Sequence, residues 1–348
     1  MKVIDLFSGV GGLSLGFKNN GFEVVLANEI DKNISYTYKK NFPKTECLVE
    51  NVNKIDLKKN FSRFKNKISL IVGGPPCQGM SQKGQRKWLE DDRNFLFKKF
   101  LSIVGIVHPE FVLIENVPNI ITAHNGFFVN EIKKTLSDLG YESDAKIIRA
   151  ENFGVPQKRK RAFILCRKNK LNFNLPETNN KKTLLSEAID DLPKLNSGQG
   201  DEFVNYNNKP KSEYQKLMRK NSLGIWNHVA TKHSRIALSR MKFLKIDGSM
   251  SDLPKSERTK SIHSGTWSRM NPNSFSKTIT TRFDTPSSGQ FTLPFQDRCI
   301  TVREAARIQS FPDNFIFYGK RTSQMIQVGN AVPPLLSDEF AKVIKKNL

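Results

Sequence analysis

Short apolar runs alternate with amphipathic stretches through the first half of the chain. The apolar runs predict buried strands at 2–7, 23–27, 68–72, 111–114, 144–149 and 161–166. Apolar residues at helical spacing predict a helix after Gly12 and further helices at 94–107, 130–139, 303–309 and 335–344. Another short strand is expected to close at Asn51–Val52. The alternation of strands and helices predicts an α/β fold with a mostly parallel sheet and helices on both of its faces.

The pattern changes after Arg167. Residues 168–275 are rich in Asn, Lys and Ser, and their apolar clusters are short and lack a long period. Several bulky apolar residues nevertheless favour a packed segment over a disordered one. These residues are Trp226, Phe243 and Trp267, together with Leu238, Met241 and Leu244 at helical spacing. The sequence therefore predicts a second, smaller and irregular domain.

The 348 residues carry a formal net charge of +23, and the pI is near 9.8. Lys and Arg release counterions from phosphates, so nucleic acid is the favoured partner. A Lys-rich composition that only keeps the protein soluble is the alternative. The four cysteines lack metal-binding spacing, no apolar run is long enough to cross a bilayer, and Asp5 lies where a signal peptide would be apolar. We expect a reduced, cytoplasmic protein without a metal site.

A glycine-rich turn follows the first predicted strand. Gly9, Gly11 and Gly12 lie between this strand and a helix, and Glu29 follows the second strand about 20 residues later. This order is typical of a site for an adenosine-type cofactor, where the acid accepts hydrogen bonds from ribose hydroxyls. Counted from Gly9, however, Ser14 stands at the third glycine position of the dinucleotide fingerprint. An NAD-dependent dehydrogenase is therefore disfavoured.

A proline-rich loop follows the predicted strand 68–72 and carries one cysteine. Its sequence is Gly73-Gly74-Pro75-Pro76-Cys77-Gln78-Gly79. Prolines stiffen a loop and glycines allow the backbone to approach a ligand closely, so the loop is suited to hold Cys77 as a nucleophile. A proline-rich turn around a buried cysteine is the alternative, because free cysteines are commonly buried.

Two further polar groups lie at predicted strand ends. Glu115 follows the strand 111–114, and the run Gln157–Arg161 precedes the last strand of the first half. Open α/β sheets bind ligands at strand ends, so these groups and Cys77 are expected to converge on one crevice. A thiol, a carboxylate and an arginine in one crevice predict covalent catalysis with acid assistance and anion stabilisation.

Taken together, the motifs resemble those of the cytosine-C5 DNA methyltransferases of bacterial restriction–modification systems. The chain contains, in the family's order, DLFSGVGG (5–12), NEID (28–31), GGPPCQG (73–79), ENVP (115–118), Gln157 to Arg161, TITT (278–281), REAARIQSFPD (303–313) and QVGNAVPP (327–334). The resemblance covers nearly the whole chain. It implies the Rossmann-like fold of SAM-dependent methyltransferases with a target recognition domain. It also implies S-adenosyl-L-methionine as the cofactor, without a metal.

The resemblance implies a role for each candidate catalytic residue. Cys77 matches the nucleophile that adds to C6 of cytosine and so makes C5 nucleophilic. Glu115 matches the carboxyl group that hydrogen-bonds N3 and the exocyclic amine. Arg161 matches the arginine that contacts O2 of the base, and Arg159 matches a companion close by. Loss of the C5 proton and elimination of Cys77 then complete the reaction.

The resemblance also implies a set of cofactor contacts. The implied positions are Phe7, Gly9, Gly11, Gly12, Glu29, Ile30, Asn51, Val52, Pro75 and Asn330. Glu29 would hold the ribose, and Asn330 would return to the region of the methionine carboxylate. Two positions depart from the family's usual residues, because Asn51 replaces an Asp and Ile30 replaces a Trp. An amide oxygen can still accept a hydrogen bond from the adenine amine and Ile can still pack on the ring, so we expect function to survive.

The same resemblance implies a division of the chain. Residues 1–172 would form the catalytic domain, completed by 325–348. Residues 173–275 would form the target recognition domain, and 276–324 would form a hinge and return segment. The recognition segment would read a short DNA sequence after the target cytosine is flipped out of the duplex.

Duplex DNA is thus the expected substrate, and a restriction endonuclease encoded nearby is the expected partner. The protein is expected to act as a monomer, away from membranes. Two alternatives stay open. A tRNA cytosine-5 methyltransferase has the same motifs, although the long recognition segment argues against it. A catalytically inactive DNA-binding regulator could keep the same scaffold, although the intact Cys77, Glu115 and Arg161 argue against that.

Overall fold

The computed structural model describes residues 1–76, 96–169, 174–179, 181–260 and 265–348. Cys77 and the remainder of its loop lie outside the described residues. The chain forms two compact units. The first unit comprises Met1–Ala150, Lys160–Asn179 and Pro334–Leu348, and the second comprises Glu151–Arg159 and Asn180–Pro333. The domain names and bounds given above stay predictions. None of the described helices is long and apolar enough to cross a membrane.

The regular elements are numbered in chain order. The strands are β1 (Lys2–Leu6), β2 (Glu23–Asn28), β3 (Glu46–Leu48), β4 (Leu70–Gly73), β5 (Phe111–Asn116), β6 (Tyr141–Arg149), β7 (Gln157–Lys158), β8 (Lys160–Lys168), β9 (Phe203–Val204), β10 (Ile225–Trp226) and β11 (Ser276–Lys277). The α-helices are α1 (Gly12–Asn19), α2 (Lys32–Asn41), α3 (Leu57–Phe61), α4 (Leu96–Val107), α5 (Asn119–Thr122), α6 (Phe127–Asp138), α7 (Leu185–Ile189), α8 (Glu213–Arg219), α9 (Arg235–Met241), α10 (Val302–Ile308), α11 (Arg321–Asn330) and α12 (Pro334–Lys346).

The first unit is built on a seven-stranded sheet in the order β3-β2-β1-β4-β5-β8-β6. The five strands from β3 to β5 are parallel, and β8 runs antiparallel to both β5 and β6. Every residue of the interior strand β5 is buried, as is typical of a strand covered on both faces. The prediction of an α/β fold with a mostly parallel sheet is confirmed.

The prediction of a strand that closes at Asn51–Val52 is wrong. The third strand, β3, ends at Leu48, and Val52–Lys54 forms a short 3-10 helix. The Asn51 side chain caps this helix by accepting a hydrogen bond from the backbone N–H of Asn53 at 3.0 Å. The amide of Asn28, at the end of β2, donates to the carbonyls of Leu48 and Glu50. These hydrogen bonds fix the chain between the end of β3 and Asn51. Asn51 therefore turns the chain instead of extending a strand.

The final helix, α12, completes the first unit by packing on α1. The two helices approach closely, because a Cβ atom on Gly16 would lie 2.5 Å from the Cβ of Ser337. The Ser337 hydroxyl donates to the carbonyl of Leu13 at 2.7 Å. On the sheet, Phe340 stacks against Phe163 of β8 with ring centroids 4.4 Å apart. The C-terminal segment is thus part of the same core as the first helix.

The second unit contains little regular structure. Among its described residues the strands form two small sheets, an antiparallel pair of β9 with β10 and a parallel pair of β7 with β11. Its helix α10 begins at a capping box in which Thr301 and Glu304 exchange side-chain and backbone hydrogen bonds. Of the three residues at helical spacing, Leu238 and Met241 lie in α9, whereas Leu244 follows the end of the helix. The longer loops are held by side chains instead of by sheet hydrogen bonds.

Candidate active site

A tight turn connects β1 to α1 and meets the end of β2. The Gly9 backbone N–H donates to Glu29 Oε2 at 3.0 Å, and the Asp31 N–H donates to Glu29 Oε1 at 2.9 Å. Phe7 adopts a left-handed backbone with φ of 56°, and Gly11 has φ of 93°. A Cβ atom on Gly11 would lie 2.4 Å from the Phe42 ring, so only glycine fits there. The turn and Glu29 are therefore fixed together.

The surroundings of Glu29 combine a carboxylate with an apolar surface. Burial raises the pKa of the Glu29 carboxyl, and the hydrogen bonds from Asp31 and Gly9 partly oppose this. The neighbouring Ile30 is 61% exposed. The Glu29 N–H donates to the carbonyl of Leu48 at 3.1 Å, which brings the chain that leads to Asn51 alongside. An ideal Cβ on Gly9 would have no heavy atom within 4 Å, so the turn borders open space.

A second polar group lies where β5 ends and the antiparallel strand β8 begins. Glu115 is only 8% exposed, and its Oε1 lies 3.0 Å from the Nε of Arg161 in an ion pair. These residues are on neighbouring strands, where Glu115 pairs with Phe163 and Arg161 pairs with Ile148. The sequence prediction that a carboxylate and an arginine would meet at this sheet edge is confirmed for these two side chains.

The start of the proline-rich loop lies against the same carboxylate. A Cβ on Gly74 would be 3.1 Å from Glu115 Oε2, so glycine allows the loop to pass close by. The Asn116 amide donates to the Pro75 carbonyl at 2.8 Å, which ties the loop to the end of β5. Cys77 follows Pro76 but lies outside the described residues. The contacts thus fix the chain two residues before the candidate nucleophile.

Arg159 lies in the second unit and is almost fully buried. Its guanidinium donates to the backbone carbonyls of Ile279 at 3.3 Å, Gly329 at 3.1 Å and Ala331 at 3.0 Å. These contacts join the segment after β11 to the end of α11 and the residue that follows it. The predicted contact of Arg159 with the base stays a prediction. Asn330 ends α11 and is exposed, and its cofactor role also stays a prediction.

The sequence analysis missed Asp5, a fully buried carboxyl under the glycine turn. Ser14 donates to Asp5 Oδ2 at 2.6 Å, and the Ser14 and Tyr38 hydroxyls are 2.7 Å apart. The other oxygen, Oδ1, is buried without a hydrogen-bond partner. Burial raises the pKa of Asp5 to about 7, although the Ser14 hydrogen bonds oppose the shift. The signal in the sequence was an acid inside the apolar run Val3–Leu6.

No group of three or more His, Cys, Asp and Glu that could hold a metal ion occurs within the described ranges. The arrangement instead offers an open glycine turn with an acid at β1 and β2 and a carboxylate–arginine pair at β5 and β8. This order of parallel strands, glycine turn and strand-end acids is typical of the open α/β folds that bind a nucleotide-like cofactor at their strand ends.

Comparison with known proteins then specifies the family. The sequence profile described as C-5 cytosine-specific DNA methylase matches residues 1–346. The chain belongs to this family, and the resemblance seen in its motifs is confirmed.

The chain is similar to type II methyltransferases along almost its whole length. It is 37% identical to the type II methyltransferase M1.HphI of Haemophilus parahaemolyticus, covering 99% of this chain and 87% of that protein. It is 36% identical to M.DdeI of Desulfomicrobium norvegicum, covering 99% and 88%. A crystal structure described as a DNA modification methyltransferase encoded within an E. coli prophage superposes with a TM-score of 0.81 at 28% identity, covering 99% of both chains. These relatives share the fold and the class of the protein.

Proposed function

We propose that this protein transfers a methyl group from S-adenosylmethionine to C5 of a cytosine in duplex DNA through a covalent bond between Cys77 and C6. The observation that carries the proposal is the Glu115–Arg161 pair beside the chain that leads to Cys77. This pair offers a hydrogen-bonding carboxylate and a cation at the point where charge would develop on the ring. The names of the similar type II methyltransferases support the same reaction class.

The residues at β1 and β2 fit the cofactor. Glu29 offers its carboxylate to ribose hydroxyls, and the exposed Ile30 offers an apolar surface to the adenine ring. The Asn51 amide oxygen accepts one hydrogen bond from Asn53 and keeps a second lone pair for the adenine amine. The open space next to Gly9 leaves room for the methionine end. When bound, S-adenosylmethionine supplies an electrophilic methyl group on its sulfonium.

The chain's own residues then handle the cytosine. The Cys77 thiolate forms a bond to C6, and the electron pair of the C5–C6 double bond becomes available for the new bond to the methyl carbon. Glu115 hydrogen-bonds N3 and the exocyclic amine, while Arg161 contacts O2. After methylation the C5 proton leaves, the bond between sulfur and C6 breaks, and the double bond re-forms. Arg159 and Asn330 keep their proposed places as a companion of Arg161 and a cofactor contact.

The target base lies inside a duplex, so the reaction requires that it be flipped out of the stack. We assign sequence reading to residues 173–275, since this segment lies between the motifs that carry the chemistry. A restriction endonuclease of the same specificity is the proposed partner, because type II methyltransferases such as the two relatives above are named for restriction–modification systems.

Methylation of DNA by the purified protein is the direct test. Tritium from methyl-labelled S-adenosylmethionine should enter duplex DNA and not total tRNA, and bisulfite sequencing of DNA from expressing cells should mark one short sequence. Cys77→Ser should lower turnover at least about 10³-fold while DNA binding stays largely intact, because the thiol acts in chemistry. Cys47→Ser, which changes a half-buried cysteine, is the matched control and should keep wild-type activity.

A duplex containing 5-fluorocytosine separates an enzyme from an inactive DNA-binding regulator. Fluorine at C5 cannot leave as a proton, so the bond from Cys77 to C6 should persist and be visible as a covalent complex. Cys47→Ser should form the complex, and Cys77→Ser should not. Absence of the complex with wild-type protein and cofactor would overturn the proposed mechanism, whereas methylation of tRNA alone would redirect the substrate.

A further inference from the structure

One face of α9 and of the turn after it carries cations and apolar side chains side by side. We define the α9 face as Arg235, Ile236, Ser239, Lys242, Phe243 and Lys245, all of which are exposed. Lys242 continues the helical backbone beyond Met241, so the first five positions follow the spacing of a single helical face. Ile236 is 61% exposed and Phe243 is 47% exposed. The opposite side of the segment is the packed one, because Met241 and Leu244 are buried.

The charge around this face has one sign. Residues 214–246 contain eight Lys and Arg and no Asp or Glu. Two of the arginines turn inward, since Arg219 pairs with Asp191 and Arg240 pairs with Glu257. The next acid along the chain, Asp247, accepts hydrogen bonds from the amides of Asn271 and Gln290.

The three cations that belong to the α9 face itself are exposed to solvent. Arg235, Lys242 and Lys245 form no ion pair with a carboxylate in the part of the chain that the structure describes. Three such cations within eleven residues repel one another unless a polyanion lies against them. The charge of the face is therefore complementary to a row of phosphates.

The exposed apolar side chains between these cations indicate which kind of polyanion fits the α9 face. A protein-binding surface concentrates apolar side chains at its centre and places charges at the rim, whereas Ile236 and Phe243 alternate with Arg235 and Lys242. Duplex DNA presents phosphates on both sides of a groove with sugars, base edges and thymine methyl groups between them. An alternating face of cations and apolar side chains matches that order.

We propose that the α9 face contacts the duplex DNA substrate, with Arg235, Lys242 and Lys245 on phosphates and Ile236 and Phe243 against sugars and base edges. This inference rests on the proposed function, because it names the part of the second unit that holds the substrate of that reaction. It narrows the DNA-contacting residues from a segment of about a hundred positions to one short helix and its following turn.

The charge contribution is tested with Arg235→Ala/Lys242→Ala. The matched control is Lys58→Ala/Lys59→Ala, which removes two exposed charges from α3 in the first unit. Binding to a fluorescein-labelled 30-base-pair duplex of random sequence is measured by anisotropy from 50 to 300 mM salt. Loss of two phosphate contacts should lower the slope of log affinity against log salt by about 1.8 and weaken binding by about 10-fold or more at 100 mM salt. The control should keep the wild-type slope, and equal effects in the two double variants would overturn the proposal.

The apolar contribution is tested with Ile236→Ser/Phe243→Ser. Because both side chains are exposed, the melting temperature should hardly change, while DNA affinity falls about 5- to 50-fold with the salt slope unchanged. Unchanged DNA affinity together with a change in oligomeric state by light scattering would overturn the proposal in favour of a protein contact.

Methylation separates this inference from the proposed function. In the arginine–lysine variant, KM for DNA should rise about 10-fold or more with kcat within about twofold of wild type. If the wild-type protein methylates DNA but the Arg235→Ala/Lys242→Ala variant keeps the wild-type KM and salt slope, the proposal for the α9 face is rejected and the proposed function stands. A wild-type protein that does not methylate DNA rejects the proposed function, and the salt slopes still decide the binding surface.

Discussion

In the first unit the largest fully buried side chains are aromatic, whereas in the second unit they are arginines. Among the described residues, the aromatic set comprises Phe17, Tyr38, Phe61, Phe97, Phe100, Phe111, Phe128 and Phe163. The arginine set comprises Arg159, Arg298, Arg303 and Arg307. The two units of one chain therefore build their interiors from different chemistry.

The backbone explains the difference. In the first unit the sheet satisfies the backbone N–H and C=O groups, so most of the interior between sheet and helices can be apolar, with the cluster around Asp5 as an exception. In the second unit most of the chain is irregular, and its buried carbonyls need other donors. Arg303 donates to the carbonyls of Trp226, Pro312 and Phe315, a task for which the planar guanidinium with its five N–H groups is suited. Arginine side chains thus donate hydrogen bonds to buried carbonyls of the irregular backbone, whereas in the sheet the backbone N–H groups donate them.

Buried arginines also require buried acids. Arg307 contacts Asp191 at 2.5 Å and Asp313 at 2.7 Å, and all three side chains are fully buried. Burial alone would raise the pKa of Asp313, but the Arg307 guanidinium holds it below its usual range. Arg298 acts likewise on Glu304, where burial is outweighed and the pKa falls to about 2. Of these ion pairs, Arg307–Asp191 joins segments 116 residues apart in the sequence, whereas Arg307–Asp313 and Arg298–Glu304 each join residues six positions apart.

Removing one buried arginine should have the largest effect on stability. Arg307→Met removes the cation that the buried Asp191 and Asp313 share, so that only Arg219 and Arg303 remain beside them, and it should cost about 3–5 kcal/mol of the free energy of unfolding. Phe100→Leu in the first unit strands no charge and should cost less than about 2 kcal/mol. Urea unfolding of both variants measures the contrast. Addition of Asp313→Asn to Arg307→Met should recover part of the loss, and a larger cost for Phe100→Leu would contradict the comparison.

The next effect is the opposite response of the two units to pH. Asp5 has an ordinary pKa of 3.8 that burial raises to about 7, so its contribution to stability is complete below pH 3.8 and is lost as pH rises through about 7. The folded protein binds the extra proton in this window, and the free energy of unfolding falls by up to about 1.4 kcal/mol per pH unit. For Glu304 the sign is reversed, because its stabilisation is present above pH 4.5 and is lost as pH falls through about 2.

Asp5→Asn should therefore reduce the fall in the free energy of unfolding between pH 4 and 7, and a smaller slope should remain because burial also raises the pKa of Asp338 to about 6. Urea midpoints at pH 5, 6, 7 and 8 measure it. Asp138→Asn, which removes an exposed carboxyl from the same unit, is the matched control. If the pH dependence of the free energy of unfolding changes equally in both variants, the burial of Asp5 is not the source of that dependence.

The smallest effect is expected at the surface, where the two units should behave alike. Lys342 pairs with Glu339 on α12 of the first unit, and Lys216 pairs with Glu213 on α8 of the second, in each case at the surface. Lys342→Ala and Lys216→Ala should each shift the melting temperature by less than about 2 °C, because water screens exposed ion pairs. A large shift of the melting temperature in only one of these variants, measured by calorimetry, would show that the two units differ in their surface ion pairs as well as in their interiors.

The first unit and much of the candidate site could be predicted from local patterns. Apolar runs gave the strands of the sheet, and the rule that polar groups gather at strand ends brought Glu115 and Arg161 together. The wrong strand at Asn51–Val52 had a cause that lies far away in sequence. Asn28, 20 residues before Leu48, binds the carbonyls that end β3 and so redirects the chain.

By itself, the sequence determined the class of the fold, the family and the identity of the chemical groups, because periodicity and motifs are local properties. It predicted an irregular second domain, and the positive net charge of the whole chain favoured a polyanion as the partner. Only the tertiary structure decided that some arginines of the second unit lie inside, that Asp5 is buried with one oxygen unpartnered, and that Arg235 and Lys242 remain outside. A charge can be buried only where partners surround it, and some of these partners, such as Asp191 for Arg307, come from distant segments that only three-dimensional packing brings together.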